Sequence, residues 1–249
     1  MAKSINPVVV IPARMASTRL PGKPLAEIDG KPMIVQVWQR AIEAEVGPVI
    51  VAVSEKEVAK AVEAAGGVAI MTEPDLPSGS DRVFQALELY DPDGKYDAVI
   101  NLQGDLPALD PAAICDAVDA LAETSADIAT LVAAIQDPAE LEDDAAVKAV
   151  VSLKKGETYG PALWFSRFKT PWGEGPHYHH IGIYAYQRSA LEKFVSLPPS
   201  PLELREKLEQ LRALEAGMKI SAALVDTVPL GVDTPEDLRR IRELFDASK

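Results

Sequence analysis

Three features of the chain predict an α/β fold built on a mostly parallel sheet. Short apolar runs rich in β-branched residues, at residues 8–12 and 98–102, are of strand length and too uniformly apolar for a strand with one wet face. They alternate through the first half with segments of helical period, the pattern of strands joined by crossover helices. The first run breaks at once into a basic turn, Pro12 to Leu25, which carries Arg14, Arg19 and Lys23 and gives way to a helix near Pro32. A cationic turn at a strand end is how open α/β sheets hold a polyanion.

The elements follow in order. Residues 8–12 are expected as a strand, 32–46 as a helix with Pro32 in its first turn, 49–54 as a strand, and 55–65 as a helix stopped by Gly66-Gly67. Residues 68–71 form a short strand and 80–89 a helix, after which Asp91-Pro92-Asp93-Gly94 is a turn cluster. The buried strand at 98–102 ends in Gln103-Gly104-Asp105, the helix at 111–123 takes Asp110 as its N-cap, and 127–135 is again strand. From Val147 the texture changes. Residues 147–153, 162–167 and 181–187 alternate or run apolar with aromatics between Gly and Pro turns, which predicts antiparallel strands. Trp164 and Trp172 are expected in a core or an interface, and residues 196–201, with three prolines, as a stiff connector. Residues 202–216 read as one amphipathic helix with leucines at 202, 204, 208, 211 and 214. Because residues 218–225 and the helix from Pro235 return to the α/β texture, residues of about 150–200 are expected as an insertion in a single domain spanning 1–249.

Composition narrows the function. With 249 residues, 47% of them hydrophobic and 25% charged, the chain is an ordinary globular protein long enough for a sizeable core. Its formal charge of −13, with no long basic block, would repel a nucleic-acid backbone, so an anionic ligand has to meet a local cluster of cations or a metal. The single cysteine, Cys115, excludes an intrachain disulfide and falls on an apolar helical pattern, where a buried, inert thiol is expected. The opening Met-Ala-Lys-Ser leads straight into a strand with no signal-type apolar region, and no apolar run approaches the ~20 residues of a membrane span. The cytoplasm is the expected compartment and no membrane partner is expected.

The basic turn is not a Walker A loop: Gly22-Lys23 is followed by Pro24, and Ser17 stands where that motif needs its first glycine. Arg14, Arg19 and Lys23 can still cradle phosphates, the arginines as planar forks and the lysine as a movable point charge. Asp105 stands at the C-terminal end of a central strand, the edge where such sheets bind ligands. Asp233 stands just before Thr234-Pro235-Glu236-Asp237, which reads as an N-cap and first helical turn. Each aspartate taken alone reads equally as part of a helix cap; together they form a hard oxygen pair able to hold Mg²⁺ and share it with phosphate oxygens. Ser78-Gly79-Ser80-Asp81-Arg82 is a second polar turn entering a helix and reads as a cap. All three histidines fall in Pro176-His177-Tyr178-His179-His180. Strand alternation sends His179 and His180 to opposite faces, which argues against a zinc site and leaves His180 as a candidate substrate contact.

These motifs resemble one family. The run from Ala13 to Leu25, then Asp29-Gly30-Lys31-Pro32-Met33-Ile34, is similar to the N-terminus of the 3-deoxy-manno-octulosonate (Kdo) cytidylyltransferases, or CMP-Kdo synthetases. The likeness continues in order through Asn101-Leu102-Gln103-Gly104-Asp105, Phe165-Ser166-Arg167, His180-Ile181-Gly182-Ile183-Tyr184, Leu208-Glu209-Gln210-Leu211-Arg212 and Gly231-Val232-Asp233-Thr234. The resemblance implies a Rossmann-like, mostly parallel sheet of the nucleotide-diphospho-sugar transferase type, with an inserted antiparallel dimerisation sheet. It implies a cytoplasmic, Mg²⁺-dependent homodimer that joins CTP to Kdo, releases pyrophosphate and supplies lipopolysaccharide biosynthesis. It assigns the phosphates to Arg14 and Lys23, with Arg19, Ser78 and Gly79 nearby, and the metal to Asp105 and Asp233. Gln103, Arg167, His180, Tyr184, Glu209 and Gln210 would line the sugar-acid pocket, with Arg167 facing the acid. The chain departs from the pattern where relatives often read Gly-Asp-Glu-Pro and it has Gly104-Asp105-Leu106-Pro107, at Ser80-Asp81, and at Val53-Ser54-Glu55. Transfer to a related acid such as 8-amino-Kdo or a sialic-type acid, and a non-catalytic nucleotide-binding dimer, are the alternatives.

Overall fold

The computed structural model describes residues 4–247; the opening Met-Ala-Lys, on which the expectation about a leader partly rests, lies outside them. The elements run in the order β1 (Pro7–Ala13), a 3-10 turn (Lys23–Leu25), β2 (Glu27–Ile28), β3 (Lys31–Pro32), α1 (Met33–Glu43), β4 (Val49–Val53), α2 (Lys56–Ala64), β5 (Val68–Met71), α3 (Gly79–Tyr90), β6 (Ala98–Asn101) and α4 (Pro111–Glu123). There follow β7 (Ile128–Ala134), α5 (Ala139–Glu142), β8 (Lys148–Val151), β9 (Tyr159–Ser166), β10 (Tyr178–Gln187), α6 (Arg188–Ser196), α7 (Pro201–Glu206), α8 (Gln210–Glu215), β11 (Ile220–Val225) and α9 (Pro235–Ala247). No described helix is long and apolar enough to cross a membrane.

The chain forms two compact units. One combines Asn6–Ile114 with Pro229–Lys249 and holds four parallel strands in the order β5-β4-β1-β6. Val8 to Ile11 of β1, all of β4 and Ala98 to Ile100 of β6 are buried, as continuous apolar strands covered on both faces must be. The expected helix at 32–46 ends three residues early, at Glu43. Glu45 turns the chain through the left-handed region (φ 52°), and a Cβ on Gly47 would lie 2.2 Å from the Pro7 carbonyl oxygen, so the backbone must pass there without a side chain.

The other unit includes Cys115–Val228 and is thus wider than the expected insertion. Its strands run β10-β7-β11-β9-β8, and β8 pairs with both β9 and β10, which closes the five into a ring. Only β7 and β11 are parallel; the other pairs are antiparallel, as the change of texture after Val147 predicts. The chain is therefore α/β with mixed strands. Of the two placements expected for Trp172, the fully exposed side chain excludes a core of this unit. The thiol expected to be buried needs correction, since Cys115 is only partly buried.

The helix expected over 202–216 is two short ones. A capping box of Ser200 and Glu203 starts α7, and Lys207 ends it in the left-handed region at φ 56°. Leu208 and Leu211 are buried whereas Leu204 is 65% exposed, so the leucines do not share one face. Arg212 of α8 clamps the two helices, its Nε donating to Glu203 Oε2 at 2.8 Å and its Nη2 to Oε1 at 2.5 Å. Burial alone would raise the Glu203 carboxyl, but hydrogen bonds from Arg212 and from the Ser200 amide outweigh it and hold the group below the usual carboxylate range. A depressed carboxylate lends stability that is complete above its unfolded value, 4.5, and is lost as pH falls through the folded one. We expect Glu203→Gln to cost about 1–3 kcal/mol at pH 7, read as a lower Tm, with the gap to wild type closing as both are melted at successively lower pH from 4.5 downward. A gap that stays constant to pH 3 would contradict this.

Candidate active site: a lysine between two carboxylates

The cationic turn is held by its own apolar residues. Leu20 packs with Ile28 and Met33 and with Val232, Leu238 and Ile241 of the C-terminal return. Gly22, in the left-handed region at φ 70°, redirects the chain so that Lys23 starts the 3-10 turn. The Val232 amide donates to the Asp105 carbonyl oxygen at 2.9 Å, which joins the strand end after β6 to the segment before α9. Gly104 lets that strand end approach β1, since a Cβ there would lie 2.9 Å from the Pro12 carbonyl oxygen.

These constraints bring Lys23, Asp105 and Asp233 together. The Lys23 ammonium donates to Asp105 Oδ2 at 2.7 Å and to Asp233 Oδ1 at 2.8 Å, and Arg19 reaches Asp233 Oδ2 at 3.1 Å. The lysine side chain is 14% exposed. Burial alone would lower its pKa, but the charge and hydrogen bond of Asp105, then those of Asp233, outweigh burial and raise it, so it is charged at neutral pH. The capping alternatives are resolved by hydrogen bonds. The Asp110 carboxylate accepts from the Ala112 amide at 3.0 Å at the start of α4. At α9, Thr234 and Asp237 cap reciprocally, with Asp237 Oδ2 accepting from the Asp233 and Thr234 amides at 3.1 and 2.9 Å. Among the described residues neither Asp105 nor Asp233 lends its carboxylate to a helix end.

The triad opens into a cleft of about 360 Å³ that Arg14, Arg19 and Gln103 also line. A second recess of about 180 Å³ shares Pro12, Ala13, Arg14 and Gln103 with it and adds Ser78, Gly79 and Arg82. Ser78 is the N-cap of α3, its hydroxyl oxygen accepting from the Asp81 amide at 3.2 Å. From the sequence Arg82 reads only as the end of a capping turn. It is 2% exposed, donates to the Glu73 and Pro74 carbonyl oxygens at 3.1 Å each, and so shapes the wall of the recess. The signal was an arginine among the apolar positions of a helix, next to Val83 and four before Ala86. Asp105 and Asp233 aim hard oxygens at one cation, the donor chemistry of Mg²⁺. Among the described residues no third His, Cys, Asp or Glu joins them.

The remaining predicted residues belong to the other unit. Arg167 follows β9, and its guanidinium donates to the backbone oxygens of Asp144 at 2.8 Å, Glu206 at 3.0 Å and Lys207 at 3.4 Å. Glu209 and Gln210 begin α8; Gln210 is 6% exposed and its amide nitrogen has no partner among the described residues. His180 and Tyr184 flank a bulge in β10, with ring centres 5.5 Å apart. The Thr130 hydroxyl lies 2.8 Å from the Ile183 oxygen and 3.1 Å from that of Ile181, so its one proton goes to a carbonyl and it accepts from His180 Nε2 at 3.0 Å. Thr130 is a residue that sequence reading missed, since nothing in an apolar strand marks a hydroxyl that faces a bulge. Desolvation raises the Tyr184 phenol well above its ordinary value.

The comparisons with known proteins first fix the class: the cytidylyltransferase family model matches residues 8–220, which include the cationic turn and four of the five strands of the ring. Within that class the similarity is narrower. The chain is 64% identical over 240 residues to the 3-deoxy-manno-octulosonate cytidylyltransferase of Rhodospirillum rubrum, covering 96% of this chain and 95% of that one. It is 64% identical over 237 residues to the protein of the same name from Parvibaculum lavamentivorans, covering 95% and 92%. A solved CMP:2-keto-3-deoxy-manno-octonic acid synthetase in complex with CTP superposes with a TM-score of 0.90 at 40% identity, covering 98% of this chain and all of the other. The chain belongs to the Kdo cytidylyltransferase family.

Burial, with a smaller push from His179, lowers the His180 imidazole to about 3. A histidine depressed in this way is neutral in the folded protein, and the stability it lends is lost as pH falls below its unfolded value of 6.5. In ¹H–¹⁵N spectra of the imidazole nitrogens, His180 is expected to show no titration between about pH 5 and 8, the window in which an unperturbed imidazole titrates. A midpoint near 6.5 would overturn the buried, neutral assignment.

Proposed function

We infer that this chain transfers CMP from CTP to Kdo with release of pyrophosphate, activating Kdo for lipopolysaccharide biosynthesis. Near-full-length similarity to enzymes named for this reaction carries the reading. The meeting of Arg14, Lys23, Asp105 and Asp233 at one cleft supports locating the chemistry there.

On this reading the anomeric hydroxyl of Kdo attacks the α-phosphorus of CTP, and the bond from that phosphorus to the β-phosphate oxygen breaks as pyrophosphate leaves. Arg14, Arg19 and Lys23 hold the triphosphate and offset the charge that grows on the leaving group. Lys23 can do this because its stem is flexible: turned away from the aspartates, its ammonium meets a phosphate instead. Asp105 and Asp233 would hold Mg²⁺, which when bound lowers the pKa of a hydroxyl oxygen and screens phosphate charge. Gln103, read as a contact of the sugar acid, and the Ser78-Gly79 turn, read as standing near the phosphates, line the smaller recess. In the other unit, Arg167 faces the acid carboxylate of the sugar, and His180, Tyr184, Glu209 and Gln210 line its pocket. Further parts of the proposal are a Rossmann-like sheet, a single domain whose insertion of about 150–200 builds a homodimer contact, and a place in the cytoplasm.

Pyrophosphate release with CTP, ATP, UTP and GTP, each with and without Kdo, tests the reading: release is expected with CTP and Kdo together, and release independent of Kdo would contradict it. Lys23→Ala is expected to lower kcat by about 10²–10³-fold with the circular dichroism spectrum unchanged. The Asp105→Asn, Asp233→Asn double variant should lose its Mg²⁺-dependent turnover. Wild-type kcat in Lys23→Ala, or an active double variant, would remove these residues from the mechanism.

A further inference from the structure

Lys148 is fully buried at the first position of β8, where that strand meets both of its partners, opposite Ser166 of β9 and His179 of β10. Its ammonium donates to the backbone oxygens of Asp143 and Arg167, the latter at 3.0 Å. Among the described residues no carboxylate lies within ion-pair distance of it. A desolvated ammonium without a counter-ion costs several kcal/mol, and closing a turn does not require one, because a hydroxyl or amide can donate to a carbonyl as well. The cation stands next to Arg167 in the network as well as in space. Lys148 fixes the Arg167 carbonyl and, through Asp143, the turn whose next carbonyl, that of Asp144, accepts from the Arg167 guanidinium at 2.8 Å. On its other side that guanidinium is held by the Glu206 and Lys207 oxygens, and the Arg167 amide donates to the Glu206 carboxylate at 3.3 Å.

We propose that Lys148 is a positioning residue for the acid group of the acceptor: it orients Arg167 through the shared backbone and adds an uncompensated positive charge to the place where an acid carboxylate binds. The proposal rests on the reading of Arg167 as the group that faces this carboxylate. A buried cation left unpaired by the protein is explained when the missing anion belongs to the substrate, since low surrounding polarity strengthens attraction to an incoming negative charge. It also explains why every carbonyl that holds the Arg167 side chain lies on a turn tied to β8 or to the break between α7 and α8.

The test is steady-state kinetics of Lys148→Met, Arg167→Met and the double variant, with KM for Kdo at saturating CTP and KM for CTP at saturating Kdo. Lys148→Met is expected to raise KM for Kdo about tenfold, the loss of one charge-assisted interaction, while KM for CTP stays within about twofold. Because Lys148 acts partly through Arg167 and partly by its own charge, the double variant is expected to raise KM for Kdo by less than the product of the two single effects. Lys148→Arg, which keeps the charge, should recover most of the loss. If Lys148→Met does not fold, Lys148→Gln, which keeps a donor but no charge, is held to the same criteria. The proposal is overturned if KM for Kdo is unchanged while Arg167→Met raises it, if the two losses multiply in the double variant, or if both KM values rise together. If Arg167→Met itself leaves KM for Kdo unchanged, the reading of Arg167 falls, and this proposal with it.

Discussion

The ammonium of Lys23 between Asp105 and Asp233 is the interaction on which the candidate site depends. Two carboxylates brought to one point repel each other, and the cation between them offsets that repulsion. The three residues come from segments far apart in the chain: the turn after β1, the end of β6 and the return before α9. Apolar packing of Leu20 with Val232 and Ile241, the Val232–Asp105 backbone bond and the close approach at Gly104 fix those segments without help from the charges. The site is therefore assembled by its scaffold and made electrostatically tolerable by the lysine. That arrangement suits a chain of net charge −13, which has to receive a triphosphate through a small local excess of cations.

Much of this was legible in the sequence where the signal is local. The uninterrupted apolar runs of β1, β4 and β6 have no other stable placement than the middle of a parallel sheet. The Thr234–Asp237 capping box was written in its spacing, as was Asp110 before α4. What failed depends on tertiary packing. The leucines of residues 202–216 fit a helical period, yet Lys207 in the left-handed region and the buried Glu203–Arg212 pair make two helices of them, because a period does not reveal which turn must break to bury Leu208.

The candidate site shows the same division. Residue types and strand ends identified Arg14, Lys23, Asp105 and Asp233, but not that the lysine occupies the point on which both aspartates converge. Thr130 and Lys148 were invisible for a common reason: each is a polar residue in an apolar stretch whose backbone-oxygen partners are revealed only by the fold, and Arg82, read as part of a polar turn, shows its role only when its carbonyl partners are placed. Periodicity says only that such a residue points inward. The surroundings of Arg167 are accordingly the part that most needed the structure, since its guanidinium is held by three carbonyls far away in sequence.

The central claim is that Asp105 and Asp233 form a cation site in which Lys23 stands where a divalent ion can bind. The most direct measurement is the affinity of the nucleotide-free protein for Mn²⁺, a spectroscopic stand-in for Mg²⁺, by electron paramagnetic resonance for wild type, Lys23→Met and Lys23→Met with Asp105→Asn. Removing the competing ammonium is expected to tighten Mn²⁺ binding by about tenfold or more, and removing Asp105 as well to abolish that gain. Mn²⁺ binding that is unchanged or weaker in Lys23→Met would contradict the account.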